Sequence, residues 1–315
     1  MKKHGELRIH IGAHKTATTH LQDTINAMGL ELLESKIYYI QRHLGRSKIV
    51  KVTPWGVSSI KYRLLFGFFK REYIKKTLFS GIRLDEVILI SEENILGGIV
   101  DELSSKPYPK IYERLEFIRQ LSKEFSTKIF LSIRSFDRVL PGTYITGLIH
   151  QPEKAIIAKQ KLITDLDNQL LPRWVDVIDR IKIALPDIPL YIWTQEDYRN
   201  NSDKIICKLL NKKIMSIPII APPLETTTPS YESVSDIEKL FEKTHVRPTN
   251  WVSVCSSIFS LKPAKNDADR YTFLNPSQIK QLKSSYKEDL KSISELWPNT
   301  LISFSDSPGE RREDT

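Results

Sequence analysis

Five short apolar runs, separated by longer stretches of helical periodicity, constrain the fold more than any other feature of the chain. They are LRIHIG (Leu7–Gly12), IYYI (Ile37–Ile40), VILIS (Val87–Ser91), KIFLSI (Lys128–Ile133) and LYIWT (Leu190–Thr194). Each is bounded by polar or turn residues, as buried strands are. Between them, IYERLEFIRQLSKEF places Ile111, Leu115, Ile118 and Leu121 on one helical face. RWVDVIDRIKIAL does the same with Trp174, Val177, Ile178 and Ile181. Strands alternating with amphipathic helices predict an α/β fold, a P-loop-like parallel sheet flanked by helices on both faces.

A chain of 315 residues can bury a substantial core. Residues 1–304 read as a single α/β domain with a helical C-terminal extension. In that extension NPSQIKQLKSSYKEDLKSISELW starts a helix, with Asn275 as N-cap and Pro276 at the first position. The Pro, Ser and Thr between Ile217 and Asp236 predict an extended connection. Residues 305–315, SDSPGERREDT, lack apolar anchors and read as a disordered tail. The hydrophobic share of 40% and charged share of 27% exclude a fibre or a wholly disordered chain. Cys207 and Cys255 stand outside any CxxC pattern, which argues against a disulfide framework or a zinc site. No apolar leader or membrane-spanning run is visible, so the expected location is cytoplasmic, with peripheral membrane contact left open. The net charge of +9 suits an anionic ligand, a nucleic acid or an anionic membrane, or simply solvates helix faces.

The stretch IHIGAHKTATTHLQ (Ile9–Gln22) localises that charge. A strand ending at Gly12 and a helix starting near Thr18 leave a turn in which the first helical N–H groups lack internal partners. The helix dipole makes such a turn an anion site. Lys15 adds a full charge there, and Thr16, Thr18 and Thr19 add hydroxyl donors. Walker A spacing is absent, because Lys15 precedes the position where a second glycine would fall. The plainer alternative is a capped helix whose threonines serve only the backbone. In SIRSFDRVLPGTY, Arg134 directly follows a strand, where it can grip a second phosphate; otherwise it is a salt-bridge partner for Asp137.

Together these segments resemble the sulfotransferase superfamily, including bacterial sulfotransferase-like proteins that use 3′-phosphoadenosine 5′-phosphosulfate (PAPS). HIGAHKTATTHLQ is similar to the family's 5′-phosphosulfate loop, and RSFDRVLPGTY to its 3′-phosphate segment. The resemblance implies that Lys15, Thr16, Ala17, Thr18 and Thr19 hold the 5′ group and Arg134 the 3′-phosphate, with His14 and His20 flanking the loop. Ala17 replaces the family's glycine, which the site tolerates only with a negative φ. Gly142 replaces a serine, so Thr143 would have to supply the hydroxyl. By the same resemblance PAPS donates the sulfuryl group without a metal, and the acceptor is a hydroxyl or amine.

Lys15 is the expected catalytic cation. The expected base is Glu93, with Glu92 in reserve, since VILISEENILGG puts both after a buried strand; one of the two is expected only to cap a helix. His10, His14 and His20 match no familiar metal spacing. KYRLLFGFFKREYIKK (Lys61–Lys76) would suit an anionic or lipid-linked glycan or a membrane surface, although its apolar face reads first as core. By the same resemblance Lys262, Lys265 and Arg270 are candidates for closing over the nucleotide. The alternatives are a P-loop-like kinase or NTPase, and a non-catalytic basic nucleotide- or nucleic-acid-binding protein. No nucleic-acid-binding motif is present, so nucleic acid is not an expected partner. Oligomeric state is not legible.

Overall fold

The computed structural model describes residues 4–52, 70–212, 217, 218, 220, 229–244 and 247–304. Its centre is a five-stranded parallel sheet of β1 (Glu6–His10), β2 (Ile37–Ile40), β3 (Val87–Ser91), β4 (Ser126–Ile133) and β5 (Leu190–Thr194), in the order β2-β3-β1-β4-β5. All five expected strands are present. In register, His10 of β1 lies beside Ser91 of β3 and Phe130 of β4.

Alternating side chains feed two cores, which is why the strands read as nearly continuous apolar runs. On one face Leu7, Ile9, Ile88, Ile90, Ile129 and Leu131 meet the helices α5 (Ile111–Leu121), α6 (Phe136–His150) and α8 (Trp174–Ala184). On the other, Leu89, Phe130 and Trp193 meet Leu21 and Ile25 of α1 (Thr18–Ala27) and Ile205, Ile206 and Leu209 of α9 (Gln195–Leu210). The helices α2 (Gly29–Glu34), α3 (Arg42–Val52), α4 (Lys70–Phe79) and α7 (Pro152–Asp167) fall between these elements in the chain. Arg8 is wholly buried on the second face, where its Nη1 donates to Leu209 O at 2.6 Å and so caps the negative end of α9.

The C-terminal part departs from the sequence reading. Residues 231–236, expected to be extended, begin the helix α10 (Tyr231–Thr244). The serines that suggested a linker start it, with Ser233 N donating to Ser230 Oγ at 3.2 Å. Val234, Ile237 and Phe241 then bury one helical face. The helix α11 (Trp251–Leu261) follows, and α12 (Pro276–Leu296) has Asn275 as N-cap, as expected. Residues 221–228, 305–315 and 61–69, which carry parts of the linker, tail and basic-stretch readings, lie outside the described residues. The rest of that basic stretch enters α4, where Ile74 is buried. Among the described residues, no helix is long and apolar enough to cross a membrane.

Candidate active site

Adjacent strands β3, β1 and β4 open their carboxyl ends on one sheet edge. From β3 come Glu92 and Glu93, from β1 the loop ending at Ala17, and from β4 Arg134. The chain winds to one side of β1 and then crosses to the other, which makes this edge a topological switch point.

Gly12 is dictated by crowding, since a Cβ there would lie 2.5 Å from His10 Nε2 and 2.6 Å from Ser132 Oγ. Farther along, Lys15 and Ala17 are left-handed, with φ of 62° and 63°. The negative φ required of Ala17 is therefore not what the fold adopts: the alanine takes the glycine conformation, at a cost of roughly 1–2 kcal/mol. The loop's own bonds hold it there. The Thr16 hydroxyl donates to Ala13 O at 2.6 Å and shares a 2.6 Å hydrogen bond with Ser132 Oγ. Thr18 Oγ1 also turns toward Ala13 O, at 3.4 Å. The hydroxyls of Thr16 and Thr18 thus serve the loop, leaving main-chain N–H groups for an anion. Thr19 is half-buried, with its hydroxyl unengaged among the described residues.

Helix α1 begins without a side-chain cap and without an acidic residue in its first turn. Its positive end is open to an anion. His20 does not face that end: its nitrogens engage Tyr198 OH at 2.9 Å and Ile220 O at 3.0 Å. It packs against α9 instead.

The stem of Lys15 runs over Gly142 of α6, where a Cβ would sit 3.2 Å from Lys15 Cγ. Gly142 therefore replaces a hydroxyl with room for the lysine. Thr143 does not restore that hydroxyl, because it is wholly buried and donates to Glu102 Oε2 at 3.0 Å. The Lys15 residue is exposed, yet the protein crowded around its ammonium desolvates it and lowers its pKa, Arg134 adding to this while Glu102 and Glu93 pull the other way.

Arg134 Nη1 donates to Lys15 O at 3.1 Å, which joins the two sequence-predicted halves of the site. Its Nε is buried without a hydrogen-bond partner. Asp137, its alternative partner, instead takes a hydrogen bond from Ser135 and lies 3.6 Å from Arg138. Trp174 of α8 fixes the arginine from behind, its Nε1 donating to Arg134 O at 2.7 Å. Burial lowers the pKa of Arg134, with Arg199 adding to the effect, yet a guanidinium stays charged.

Glu92 takes the capping role expected of one of the pair. It is wholly buried, accepts from Asn94 N at 3.1 Å at the start of a 3-10 turn (Glu93–Ile95), and is gripped by Arg46 Nε at 3.2 Å. Burial and the neighbouring Glu93 push its carboxyl pKa up. Glu93 accepts from Arg46 Nη2 at 2.9 Å through Oε1, while its Oε2 is buried without a partner. His14 is buried in the loop, its Nδ1 3.4 Å from Glu102 Oε2.

Beneath the loop lies a neutral polar chain. His10 bonds Ser91 Oγ at 2.9 Å and Ser132 Oγ at 3.2 Å and stacks on Trp193 with centroids 5.0 Å apart. Burial pushes its pKa down to about 3. Gln22 Nε2 reaches the same cluster, donating to Ser91 O at 3.0 Å. Sequence reasoning missed Glu102, Asn94, Arg46 and Ser132. A signal existed for the last: His10, Ser91 and Ser132 each interrupt an apolar run near the end of one of three neighbouring strands. Of the candidates for closing over the nucleotide, Lys262 and Arg270 are engaged elsewhere, Lys262 with Asp236 at 2.6 Å and Arg270 with Asp267 at 2.9 Å. Among the described residues, no three of His, Cys, Asp and Glu converge as metal ligands.

No family model matches the chain, and no curated protein matches it. Among solved structures it is similar to a sulfotransferase from Alicyclobacillus acidocaldarius, with 12% identity, a TM-score of 0.40, and 80% of this chain and 99% of that one covered. It is also similar to retinol dehydratase solved with androsterone and the inactive cofactor PAP, with 12% identity, a TM-score of 0.35, and coverage of 92% and 82%.

Proposed function

We propose that this chain is a sulfotransferase that moves a sulfuryl group from PAPS to a hydroxyl or amine of an acceptor. The observation that carries the reading is the Arg134-to-Lys15 hydrogen bond of 3.1 Å, which sets two cations from separate segments at one sheet edge. Neither side chain forms an ion pair among the described residues. Both therefore remain available to a ligand with two anionic ends, beside an uncapped helix start. The buried, unpartnered Arg134 Nε and Glu93 Oε2 supply one further donor and one further acceptor.

The donor, when bound, supplies the sulfuryl group and a leaving phosphate on which negative charge builds. Lys15 meets that charge with its ammonium, and the first N–H groups of α1 add preorganised donors. Arg134 grips the second phosphate, its main chain fixed by Trp174. Glu93 Oε2 accepts the acceptor's proton, while Arg46 holds the other oxygen and so aims the carboxylate. Glu92 keeps the turn carrying Glu93 in shape. The net charge of +9 favours an anionic acceptor, with a glycan as the class put first, and cytoplasmic action is part of the same proposal.

Thermal-shift titration with adenosine 3′,5′-bisphosphate tests the reading. Stabilisation by it is expected, and stabilisation by ATP-Mg alone would replace the sulfotransferase with a kinase or NTPase. Lys15→Ala is expected to lower turnover by about two to three orders of magnitude while leaving the unfolding midpoint nearly unchanged. Unchanged turnover removes Lys15 from the chemistry.

A further inference from the structure

His14 is the loop histidine whose two ring nitrogens both face side-chain oxygens of acceptor groups. Nε2 hydrogen-bonds Asn94 Oδ1 at 3.4 Å, while Nδ1, buried without a hydrogen bond, lies at ion-pair distance, 3.4 Å, from Glu102 Oε2. A neutral imidazole carries one N–H and would turn a lone pair toward one of these oxygens, whereas an imidazolium faces both with N–H groups and sets its charge beside the carboxylate. Glu102 is wholly buried, where a carboxylate is stable only when paired, and among the described residues no lysine or arginine forms an ion pair with it. Its oxygens instead take hydroxyl hydrogen bonds, Oε1 from Tyr108 and Oε2 from Thr143. Those bonds fix the carboxylate against the loop.

We infer that Glu102 holds His14 as an imidazolium, so that the loop presents two adjacent cations, His14 and Lys15, and binds its anion in a pH-dependent way. This rests on the nucleotide reading of the site. The groups facing His14 come from every side. Glu102 ends one 3-10 turn (Ile99–Glu102), Glu93 and Asn94 lie on the other, Tyr108 lies in the segment after Glu102, Thr143 comes from α6 and Lys15 from the loop itself. Burial opposes charge on the ring, but the contact and charge of Glu102, followed by Glu93 and Asn94, outweigh it, and the pKa of His14 is raised. Glu102 acts through His14 and is a positioning residue. The loop then loses the His14 cation as pH rises through the raised value.

The experiment has two arms. Histidine ring NMR of the full chain, with the His14 signal assigned by its loss in His14→Asn, should give a titration midpoint above the roughly 6.5 of free histidine. Glu102→Gln should lower that midpoint by at least about one pH unit, since it removes the charge and keeps the shape. In parallel, calorimetry with adenosine 3′,5′-bisphosphate should show affinity falling about tenfold more in wild type than in His14→Asn between about pH 6.5 and pH 9. Subtracting the variant removes the ligand's own titration. A wild-type midpoint below that of free histidine overturns the inference, and so do parallel affinity profiles. If no bisphosphate binds at any pH while the midpoint stays high, the nucleotide reading falls and the ion pair stands.

Discussion

On the underside of the loop His10 is enclosed by two serine hydroxyls and an indole, while within the loop His14 lies against a carboxylate. Both rings are buried, four positions apart in the chain, and their pKa values move in opposite directions. Burial disfavours charge on each ring. The underside offers only neutral partners, so burial wins; inside the loop Glu102 and Glu93 reverse it. A buried histidine is thus not a class with one behaviour, because the charge of its nearest acceptor decides. The fold exploits both outcomes, with a neutral strut below and a cation above.

The largest expected effect tests the lower half of this contrast. The folded pKa of His10, about 3, lies below the unfolded value of 6.5, so the folded state resists the proton that the unfolded chain accepts. The stability His10 contributes is complete above 6.5 and is lost as pH falls toward 3. For His14 the sign is opposite: its contribution is present below 6.5 and fades as pH rises through its raised folded value. Urea unfolding of wild type and His10→Gln should therefore diverge on acidification. Wild type should lose about 3 kcal/mol more than the variant between about pH 6.5 and pH 4. Parallel curves would mean that His10 is already charged, and the contrast would collapse.

Much of this architecture was legible in the sequence, for a definite reason. Strands buried on both faces must be apolar, and a cation in the loop just beyond such a strand stands at the sheet edge, so Lys15 and Arg134 could be paired before any coordinates. What stayed hidden was set by contacts distant in sequence. Glu102 reads as one acid among many until Thr143 and Tyr108 close around it. His10 and Ser132 are 122 positions apart, and only parallel pairing brings them together. Helix α10 was masked by the serines that cap it, since the same residue types mark linkers and helix starts. The sign of φ at Ala17 depends on how the loop is pinned to β4, which the local sequence does not encode.

A second, smaller effect asks whether the two sides of the loop are separable. Gly12→Ala would push a methyl into His10 Nε2 and Ser132 Oγ, at 2.5 and 2.6 Å, while leaving Glu102 untouched. Crowding of this kind typically destabilises by about 1–3 kcal/mol. The expected result is a lowered urea midpoint with the His14 ring midpoint unchanged. If His14 shifts as well, strut and cation form one unit, and the assignment of separate roles fails.

The smallest effect concerns the residue that bridges the two sides. Ala17 holds a left-handed φ of 63° while Thr16, just before it, is tied down to Ser132. Removing the Cβ in Ala17→Gly relieves roughly 1–2 kcal/mol of steric strain, partly offset by the greater freedom of glycine in the unfolded chain. The unfolding midpoint should rise by about 2 °C or less. Ala17→Val should lower it, because a β-branched side chain is poorly tolerated at positive φ. Both changes leave His10 and His14 with their partners, so neither should move a histidine titration. If Ala17→Gly instead lowers the midpoint, the alanine methyl contributes more through packing than it costs in backbone strain. The loop would then be held by its apolar contacts as well as by the hydroxyl chain beneath it, and the strut formed by His10 would carry less of the burden than its geometry suggests.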